Sequence, residues 1–327
     1  MIFITGCNGL IGSYVARNLL AQNYYVRALR RSSSDLSLIK DLESRIEWIE
    51  GDINDIGLLE KCLKGVHTVI HTAALVSFSP SEKTTLFKTN VQGTSNLVNV
   101  SLKEGVKEFL HISSVAALGR KKNTTHIDEN VMWENSSYNT NYAISKYQSE
   151  LEVWRGMEEG LNVTVVNPSV VLGPGNWNTG STKIFQYVWN EGKFYTEKEM
   201  NYVDVRDVAD IVVQLLGNEK AYGRRFILNA GKISYKNFFN KAAEAFHKKA
   251  PYVKARLWMG EIAWRLAWLK SLLTGKQSLI TKETVRLSQQ NFFYNNSKIC
   301  DFLNFKFRDA EETINWVCRE LRKKYNV

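Results

Sequence analysis

The 327-residue sequence has no long hydrophobic run, little cysteine, and no internal repeat or low-complexity segment. No apolar stretch approaches the roughly 20 residues that a membrane-spanning helix needs, so we expect no transmembrane segment. Because an apolar strand already begins at Met1, we also expect no signal peptide and a cytoplasmic protein. The cysteines lie far apart without the spacing of a metal site, and we expect reduced thiols and no bound metal: Cys7, Cys62, Cys300 and Cys318.

The sequence also lacks a motif that reads DNA or RNA, although its net charge is +10. The charge arises from 43 basic and 33 acidic residues spread along the chain, which is typical of a solvated surface. We therefore expect no nucleic-acid partner. A hydrophobic content of 44% provides a sizeable core for one large or two modest domains.

The opening stretch MIFITGCNGLIG joins a short apolar strand, Met1–Ile4, to a segment of helical period, Leu10–Leu20. Gly6 allows a tight turn, Gly9 lets backbone N–H groups approach a phosphate, and Gly12 lets the helix pack close to the strand. The spacing is G-x-x-G-x-x-G and differs from the standard G-x-G-x-x-G, so an ordinary glycine-rich turn is the alternative. The stretch predicts a site for the pyrophosphate of a dinucleotide.

Two arginines, Arg30 and Arg31, follow a second predicted strand at Tyr24–Leu29, and the first acid comes later, at Asp35. An acid at this position holds the ribose 2′-hydroxyl of NAD, whereas a guanidinium accommodates the 2′-phosphate of NADP. The pattern favours NADP over NAD. The alternative is an ordinary basic loop.

Further apolar segments with strand character alternate with segments of helical character. The predicted strands are Arg45–Glu50, His67–His71, Lys107–Ile112, Leu161–Val166 and Arg225–Asn229, and the predicted helices are Glu82–Glu104, Asn141–Glu159, Asp207–Leu216 and Ser234–His247. This alternation predicts an α/β protein with a Rossmann-type, doubly wound parallel sheet. Ligands of such sheets bind at the carboxyl ends of the strands.

Two groups of residues at predicted strand ends are candidates for cofactor contacts. The small residues Thr72, Ala73 and Ala74 let a cofactor pass close to the backbone. Asp52 could accept a hydrogen bond from an adenine amino group, or it could cap the helix that begins near Asp55.

A candidate catalytic group combines the strand-end pair Ser113 and Ser114 with Tyr142 and Lys146. Tyr142 and Lys146 are four residues apart on a predicted helix and so lie on one face. A nearby ammonium favours the phenolate, and we expect it to lower the tyrosine pKa from about 10. Such a tyrosine can protonate a carbonyl oxygen as hydride reaches its carbon, while a serine hydroxyl holds the same oxygen.

The motifs TGCNGLIG, GDI, HTAA, TNVQGTSNL, HISSVAALG and YAISK, in this order, resemble the extended short-chain dehydrogenase/reductase family over nearly all of residues 1–174. The resemblance implies that Tyr142 is the acid/base, that Lys146 tunes it and holds the nicotinamide ribose, and that Ser114 contacts the substrate oxygen, with Ser113 as runner-up. It also implies these cofactor contacts: Gly6, Asn8, Gly9, Leu10, Ile11, Gly12, Arg30, Arg31, Asp52, Ile53, Thr72, Ala73, Ala74, Asn90, Tyr142, Lys146, Asn167, Pro168 and Val170.

The segment NPSVVLGP, residues 167–174, is similar to the dihydroflavonol reductase and hydroxysteroid dehydrogenase-like branch of that family. Nucleotide-sugar enzymes more often carry an Asn where this chain has Val170, and a diphosphate-clamping Arg where it has Met200. Arg206 is displaced from that place and is expected to form only a surface ion pair. Burying a diphosphate without a nearby cation is costly, so these differences favour a carbonyl or alcohol substrate.

Two domains are expected. Residues 1–174, with 203–230 returning to them, form the dinucleotide-binding domain, and 175–327 form mainly a smaller α/β substrate domain. A Trp-rich basic stretch at 254–274 is interpreted as ordinary core and oligomer contact, with a substrate lid and a lipid-facing helix as alternatives. A homodimer is compatible with such a fold.

Together these features predict an NADP(H)-dependent oxidoreductase that reduces a ketone or aldehyde, or oxidises the matching alcohol, with Tyr142 as general acid/base. A nucleotide-sugar epimerase or dehydratase is the alternative, because it would use the same catalytic group. A non-catalytic dinucleotide sensor or scaffold is disfavoured by the presence of that group.

Overall fold

The computed structural model describes residues 1–119, 125–136, 139–255 and 292–325. Its strands are Ile2–Thr5 (β1), Val26–Arg30 (β2), Ile46–Glu50 (β3), Thr68–His71 (β4), Glu108–Ile112 (β5), His126–Ile127 (β6), Asn162–Pro168 (β7), Val170–Leu172 (β8), Phe194–Tyr195 (β9), Glu199–Asp204 (β10), Arg224–Leu228 (β11), Gly231–Ser234 (β12), Val253–Lys254 (β13) and Phe293–Tyr294 (β14). Its α-helices are Leu10–Ala21 (α1), Ile56–Leu63 (α2), Lys83–Phe87 (α3), Gly93–Lys103 (α4), Asn141–Glu158 (α5), Thr182–Trp189 (α6), Val205–Leu215 (α7), Tyr235–Phe246 (α8), Ser297–Leu303 (α9) and Ala310–Tyr325 (α10).

A seven-stranded parallel sheet in the order β11-β7-β5-β4-β1-β2-β3 forms the centre of the molecule. The chain runs outward from β1 through β2 to β3, then crosses to the other side of β1 to form β4. The order therefore reverses between β1 and β4, and such a reversal opens a crevice at the carboxyl ends of the strands. The predicted α/β fold class with a doubly wound parallel sheet is confirmed.

Apolar side chains cover both faces of this sheet, as expected for buried parallel strands. Ile4 and Leu110 pack with α1, α7 and α9 in one core cluster. Phe3, Val69 and Phe109 pack with α2, α4 and α5 in a second cluster on the opposite face. Residues of one strand alternate between the two clusters because successive side chains point to opposite faces.

A second, three-stranded sheet in the order β12-β10-β8 packs with α6, α8 and α10. The strands of this sheet are not among those predicted from the sequence. Val170, whose side chain cannot form a hydrogen bond, begins β8 and pairs with Tyr202 of β10. β11 returns to the main sheet beside β7. The division of the chain into two domains at residue 174 stays a prediction.

The predicted helix Glu82–Glu104 is interrupted in the structure. A 3-10 turn, Pro80–Glu82, leads into α3, and a π-helical segment, Lys88–Gln92, separates α3 from α4. Asn90 lies in this segment and is buried. Its side chain accepts from the Leu75 N–H and donates to the Leu75 carbonyl, at 2.7 and 3.0 Å. A wider turn of this kind is common where a helix serves a functional site.

Within the described ranges, no helix has both the length and the apolar character needed to cross a membrane. The Trp-rich basic stretch at 254–274 lies, apart from Lys254 and Ala255, outside the described residues.

Candidate active site

The passage from β1 into the first turn of α1 has room only for glycine at two positions. Gly6 has a φ of +70°, and a Cβ there would lie 2.7 Å from the Ala73 nitrogen. A Cβ at Gly12 would lie 2.2 Å from the Gly6 carbonyl oxygen. The Gly9 N–H donates to the same Gly6 oxygen at 2.9 Å, which closes the turn. The close approach of α1 to β1 therefore depends on these glycines.

In the part of the chain that the structure describes, no side chain caps the backbone N–H groups in the first turn of α1. Gly9 is the N-cap and makes no side-chain capping bond, and the first turn of α1 contains no acidic residue. Leu10 and Ile11 at the start of the helix are partly exposed. A helix N-terminus with free N–H donors and a positive dipole end binds phosphate. The cradle therefore fits the pyrophosphate of a dinucleotide.

The two basic residues at the end of β2 differ in their surroundings. Arg30 is partly buried and lies 3.8 Å from Glu50 of β3, whereas Arg31 is exposed. The Asp35 carboxylate accepts from the Ser37 N–H at 2.8 Å and from the Asn176 amide at 2.6 Å. These bonds hold the pKa of Asp35 below its usual value. The amide of Asn8, in the glycine turn, donates to the Asp35 carbonyl at 3.3 Å.

Asp52 is not the cap of α2, so that alternative is wrong. Asp55 is the N-cap and accepts from the Leu58 N–H at 3.0 Å. One Asp52 carboxylate oxygen accepts from the backbone and the side chain of Asn54, both at 2.8 Å, and the backbone bond lowers the pKa of Asp52. The next residue, Ile53, is buried and would contact a Cβ at Gly93.

The segment after β4 is tied to β1 by hydrogen bonds. The Thr72 hydroxyl donates to the Thr5 carbonyl at 2.7 Å, and the Ala73 N–H donates to the Thr5 hydroxyl at 3.3 Å. Ala74 is exposed next to them. Asn90 then holds the segment at Leu75 and also donates to the Ser145 hydroxyl of α5 at 3.0 Å. Small residues, held rigidly, thus line this part of the crevice.

The Ser114 hydroxyl lies beside the Tyr142 phenol and lowers the pKa of that phenol. Ser114 follows β5 and caps the short 3-10 turn Val115–Leu118. Tyr142 lies in the first turn of α5, whose N-cap Thr140 accepts from the Ala143 N–H at 3.1 Å. The ring of Phe78 meets the Tyr142 ring edge-on, with centroids 5.9 Å apart. The structure thus places two of the three predicted catalytic side chains next to each other.

The expected lowering of the Tyr142 pKa is wrong for this structure. Burial raises the pKa of Tyr142, and the neighbouring Ser114 hydroxyl acts in the opposite direction. The Lys146 ammonium donates instead to the Ile112 carbonyl of β5 at 3.0 Å. The loss of water around the phenol therefore outweighs any attraction between phenolate and ammonium.

Lys146 is only 2% exposed, and burial lowers its pKa to about 8. The nearby Glu150 carboxylate raises this pKa and so opposes the effect of burial. Two buried imidazoles, His71 and His111, lie beside the lysine with ring centroids 5.1 Å apart. Burial lowers the pKa of His71 to about 3 and that of His111 well below its ordinary value, so both rings are neutral.

Ser113, the runner-up to Ser114, has a buried hydroxyl with no hydrogen-bond partner in the described structure. Its N–H donates to the Val166 carbonyl of β7 at 2.8 Å. Because neighbouring residues of an extended segment point to opposite sides, only one serine of the pair reaches the tyrosine. The position of its hydroxyl beside the Tyr142 phenol favours Ser114.

Asn167, predicted as a cofactor contact, has its side-chain amide turned into the protein. It is fully buried and donates to the Ser114 carbonyl at 3.0 Å and to the Glu150 carboxylate at 2.5 Å. The sequence reasoning missed Glu150, although its spacing of four residues from Lys146 is a signal that places both on one helix face. Pro168 ends β7, and Val170 is exposed on β8.

Met200, where nucleotide-sugar enzymes carry a clamping arginine, and the displaced Arg206 both pack against the rest of the protein. Met200 is buried in the cluster around the second sheet. The guanidinium of Arg206 bonds the buried Asp204 carboxylate and lies 3.9 Å from the centre of the Trp316 ring. Arg206 is therefore more than the surface ion pair expected from the sequence.

A model of the NAD-dependent epimerase/dehydratase family matches residues 2–231. A Synechocystis protein named "Putative dihydroflavonol 4-reductase" is 30% identical over 306 residues, 90% of this chain and 87% of that protein. Cinnamoyl-CoA reductase 1 of Oryza sativa subsp. japonica is 29% identical over 240 residues, 68% of this chain and 70% of that protein. In fold, the chain is similar to UDP-glucose 4-epimerase of Thermotoga maritima, with a TM-score of 0.80, 21% identity and 99% of each chain covered.

Proposed function

The chain belongs to the NAD-dependent epimerase/dehydratase family, and we propose that it is an NADP(H)-dependent oxidoreductase that reduces a ketone or aldehyde or oxidises the matching alcohol. The observation that carries the proposal is the placement of the Ser114 hydroxyl beside the Tyr142 phenol, one helical turn from the buried Lys146. Reductases among the sequence relatives support the same class of reaction.

When bound, the nicotinamide supplies the hydride for this reaction. The Tyr142 hydroxyl gives its proton to the carbonyl oxygen of the substrate and takes it back in the oxidation direction. The Ser114 hydroxyl donates a hydrogen bond to the same oxygen and so stabilises the negative charge that develops there. Lys146, when protonated, provides the positive charge that favours the resulting phenolate.

The choice of NADP rests on the residues after β2. Arg31 is exposed, where its guanidinium can meet a 2′-phosphate, and Arg30 lies next to it. Asp35, the first acid after the strand, already accepts from Ser37 and Asn176, which leaves it less able to hold a ribose hydroxyl. A guanidinium binds a phosphate dianion through two parallel hydrogen bonds, whereas a carboxylate would repel the dianion.

A panel of ketones and aldehydes, followed by the loss of NADPH absorbance, tests the reaction. Tyr142→Phe removes the proton donor and keeps the ring, so we expect turnover to fall by roughly 10²–10⁴-fold while NADP still binds. Tyr147→Phe is the matched control, because Tyr147 lies on the same helix but stacks on Trp133. Unchanged turnover in Tyr142→Phe would refute the assignment.

A nucleotide-sugar epimerase or dehydratase is the second candidate, favoured by the fold shared with UDP-glucose 4-epimerase. Against it stand Met200 and Val170, where an arginine and an asparagine would contact the sugar nucleotide. Thermal shift with a panel of nucleotide diphosphates separates the two. Stabilisation by these compounds, together with no reduction of any carbonyl compound, would replace the first proposal with the second.

A further inference from the structure

A layer of polar side chains is buried between α5 and the main sheet. His71, His111 and Arg225 occupy one row across β4, β5, β7 and β11, in which Val165 of β7 pairs with both His111 and Arg225. Asn167 lies two residues further along β7 and therefore on the same face. Lys146 and Glu150 of α5 meet this face. The layer lies directly under the proposed catalytic group.

Glu150 is the acidic member of this layer and is only 1% exposed. One of its carboxylate oxygens accepts from the Asn167 amide at 2.5 Å, and the other lies 3.4 Å from the Arg225 guanidinium. A carboxylate is rarely buried without being paired and hydrogen-bonded, because removing it from water is costly. Asn167 of β7 thus hydrogen-bonds one oxygen, and Arg225 of β11 provides the counter-charge beside the other.

The same amide connects Glu150 to the catalytic loop. Asn167 donates to the Ser114 carbonyl at 3.0 Å in addition to Glu150. A single amide nitrogen carries two hydrogens, so both donations are compatible. Glu150 therefore fixes the orientation of Asn167, and Asn167 fixes the backbone of the serine whose hydroxyl meets Tyr142.

The charge of Glu150 also acts on Lys146, one helical turn earlier. The titratable groups that face Lys146 are His71 from β4, His111 from β5, and Tyr142 and Glu150 from its own helix. Burial raises the pKa of Tyr142, so its phenol is neutral. Both imidazoles are neutral because burial lowers the pKa of each. The carboxylate is thus the charged group of this set that favours a protonated lysine. Arg225, on the far side of Glu150, is its counter-charge.

We propose that Glu150 is a positioning residue of the active site, which holds the Ser114 loop through Asn167 and keeps a negative charge beside Lys146. The mechanistic part of this inference rests on the proposed function, in which Ser114 and Lys146 act on the reacting oxygen and on Tyr142. The contacts themselves do not depend on it.

Two substitutions separate the two effects of Glu150. Glu150→Gln keeps an oxygen that can accept from Asn167 but removes the charge, whereas Glu150→Leu removes both. Glu152→Gln is the matched control, since Glu152 lies on the same helix but bonds Ser95 and Arg155, away from this layer.

The first readout is the titration of Lys146 by NMR in protein labelled at lysine, with the signal assigned by its loss in Lys146→Met. We expect Glu150→Gln to move this titration to lower pH and Glu152→Gln to leave it unchanged. In the pH profile of kcat/KM, the alkaline limb should move in the same direction. Glu150→Leu should lower kcat by roughly ten- to a hundred-fold because the Ser114 loop also shifts.

A Lys146 titration that is identical in wild type and Glu150→Gln would overturn the proposal. So would Glu150→Leu with wild-type kcat. A protein that reduces no carbonyl compound, yet shows the shifted titration, would refute the proposed reaction and still support the coupling of Glu150 to Lys146.

Discussion

At the scale of single residues, the site is built from charged and polar groups that the fold keeps away from water. Lys146 is nearly fully buried, donates to the Ile112 carbonyl and has a pKa lowered to about 8 from an ordinary value of 10.5. A group of this kind destabilises the folded state in its charged form. Lys146 is therefore a residue whose position opposes stability and whose chemistry serves the proposed reaction.

The pH dependence of stability should reveal this opposition. Between pH 8 and 10.5 the unfolded chain binds the lysine proton more tightly than the folded chain, so this group makes the protein more stable as the pH rises through that window. Lys146→Met has no titrating group at this position and therefore lacks this gain in stability. Its stability relative to wild type should therefore decrease by about 3 kcal/mol from pH 7 to pH 10.5, as measured by urea unfolding. The exposed Lys64→Met is the control; the prediction fails if the two variants show the same pH dependence.

At the scale of elements, the turn from β1 to α1 determines how closely a dinucleotide can approach the sheet. Gly12 faces the Gly6 carbonyl, whereas Gly9 has more space: a Cβ there would lie 3.2 Å from the same oxygen. Gly57, in the first turn of α2, has open surroundings, with its nearest neighbour at 3.7 Å. The three glycines therefore differ in what an added methyl group would meet.

Alanine substitutions at these positions should give three different results. Gly12→Ala forces backbone apart and should lower the free energy of unfolding by about 1–3 kcal/mol. Gly9→Ala should keep the stability but weaken NADP binding by roughly tenfold, because the methyl group intrudes where phosphate meets the helix N-terminus. Gly57→Ala should stabilise by about 0.5–1 kcal/mol through helix propensity. Thermal unfolding and cofactor titration measure both quantities, and a Gly12→Ala variant as stable as wild type would contradict the packing described here.

At the scale of the whole molecule, the sheet brings together residues at the carboxyl ends of six strands. The glycine turn follows β1, Arg31 follows β2, Asp52 follows β3, Ala73 follows β4 and Ser114 follows β5, while Asn167 lies near the end of β7. The reversal beside β1 brings these ends to a common crevice. Cofactor binding should therefore stabilise the molecule as a whole, since it joins segments that are distant along the chain.

Thermal shift with the two dinucleotides tests the cofactor choice at this scale. NADP at a hundred times its dissociation constant should stabilise the protein by about 2.7 kcal/mol, and NAD at the same concentration should stabilise it less. Arg31→Ala should remove most of this preference because it removes the cation that meets the 2′-phosphate. Lys40→Ala removes an exposed charge in the same region and should leave the preference for NADP unchanged. Tighter binding of NAD than of NADP by the wild-type protein would refute the arginine argument.

Much of the fold could be predicted because its signals are local. The strands of the main sheet and helices α1 and α5 follow from apolar runs, periodicity and glycine turns, and they occur within a few residues of the predicted bounds. The break near Asn90 was missed because it depends on hydrogen bonds to Leu75, in a different segment. The small sheet formed by β8, β10 and β12 was missed since its strands are short and pair across long separations in sequence.

The sequence by itself determined the fold class and the chemical types in the candidate site: a glycine turn, an arginine pair, a serine, a tyrosine and a lysine. Only the tertiary structure decided how these groups are tuned. Burial raises the Tyr142 pKa. The fold also places the Lys146 ammonium against the Ile112 carbonyl, and it connects Glu150 through Asn167 to the Ser114 carbonyl. The physical reason is that residue identity and spacing are local properties, whereas desolvation and charge pairing depend on side chains contributed by strands far apart along the chain.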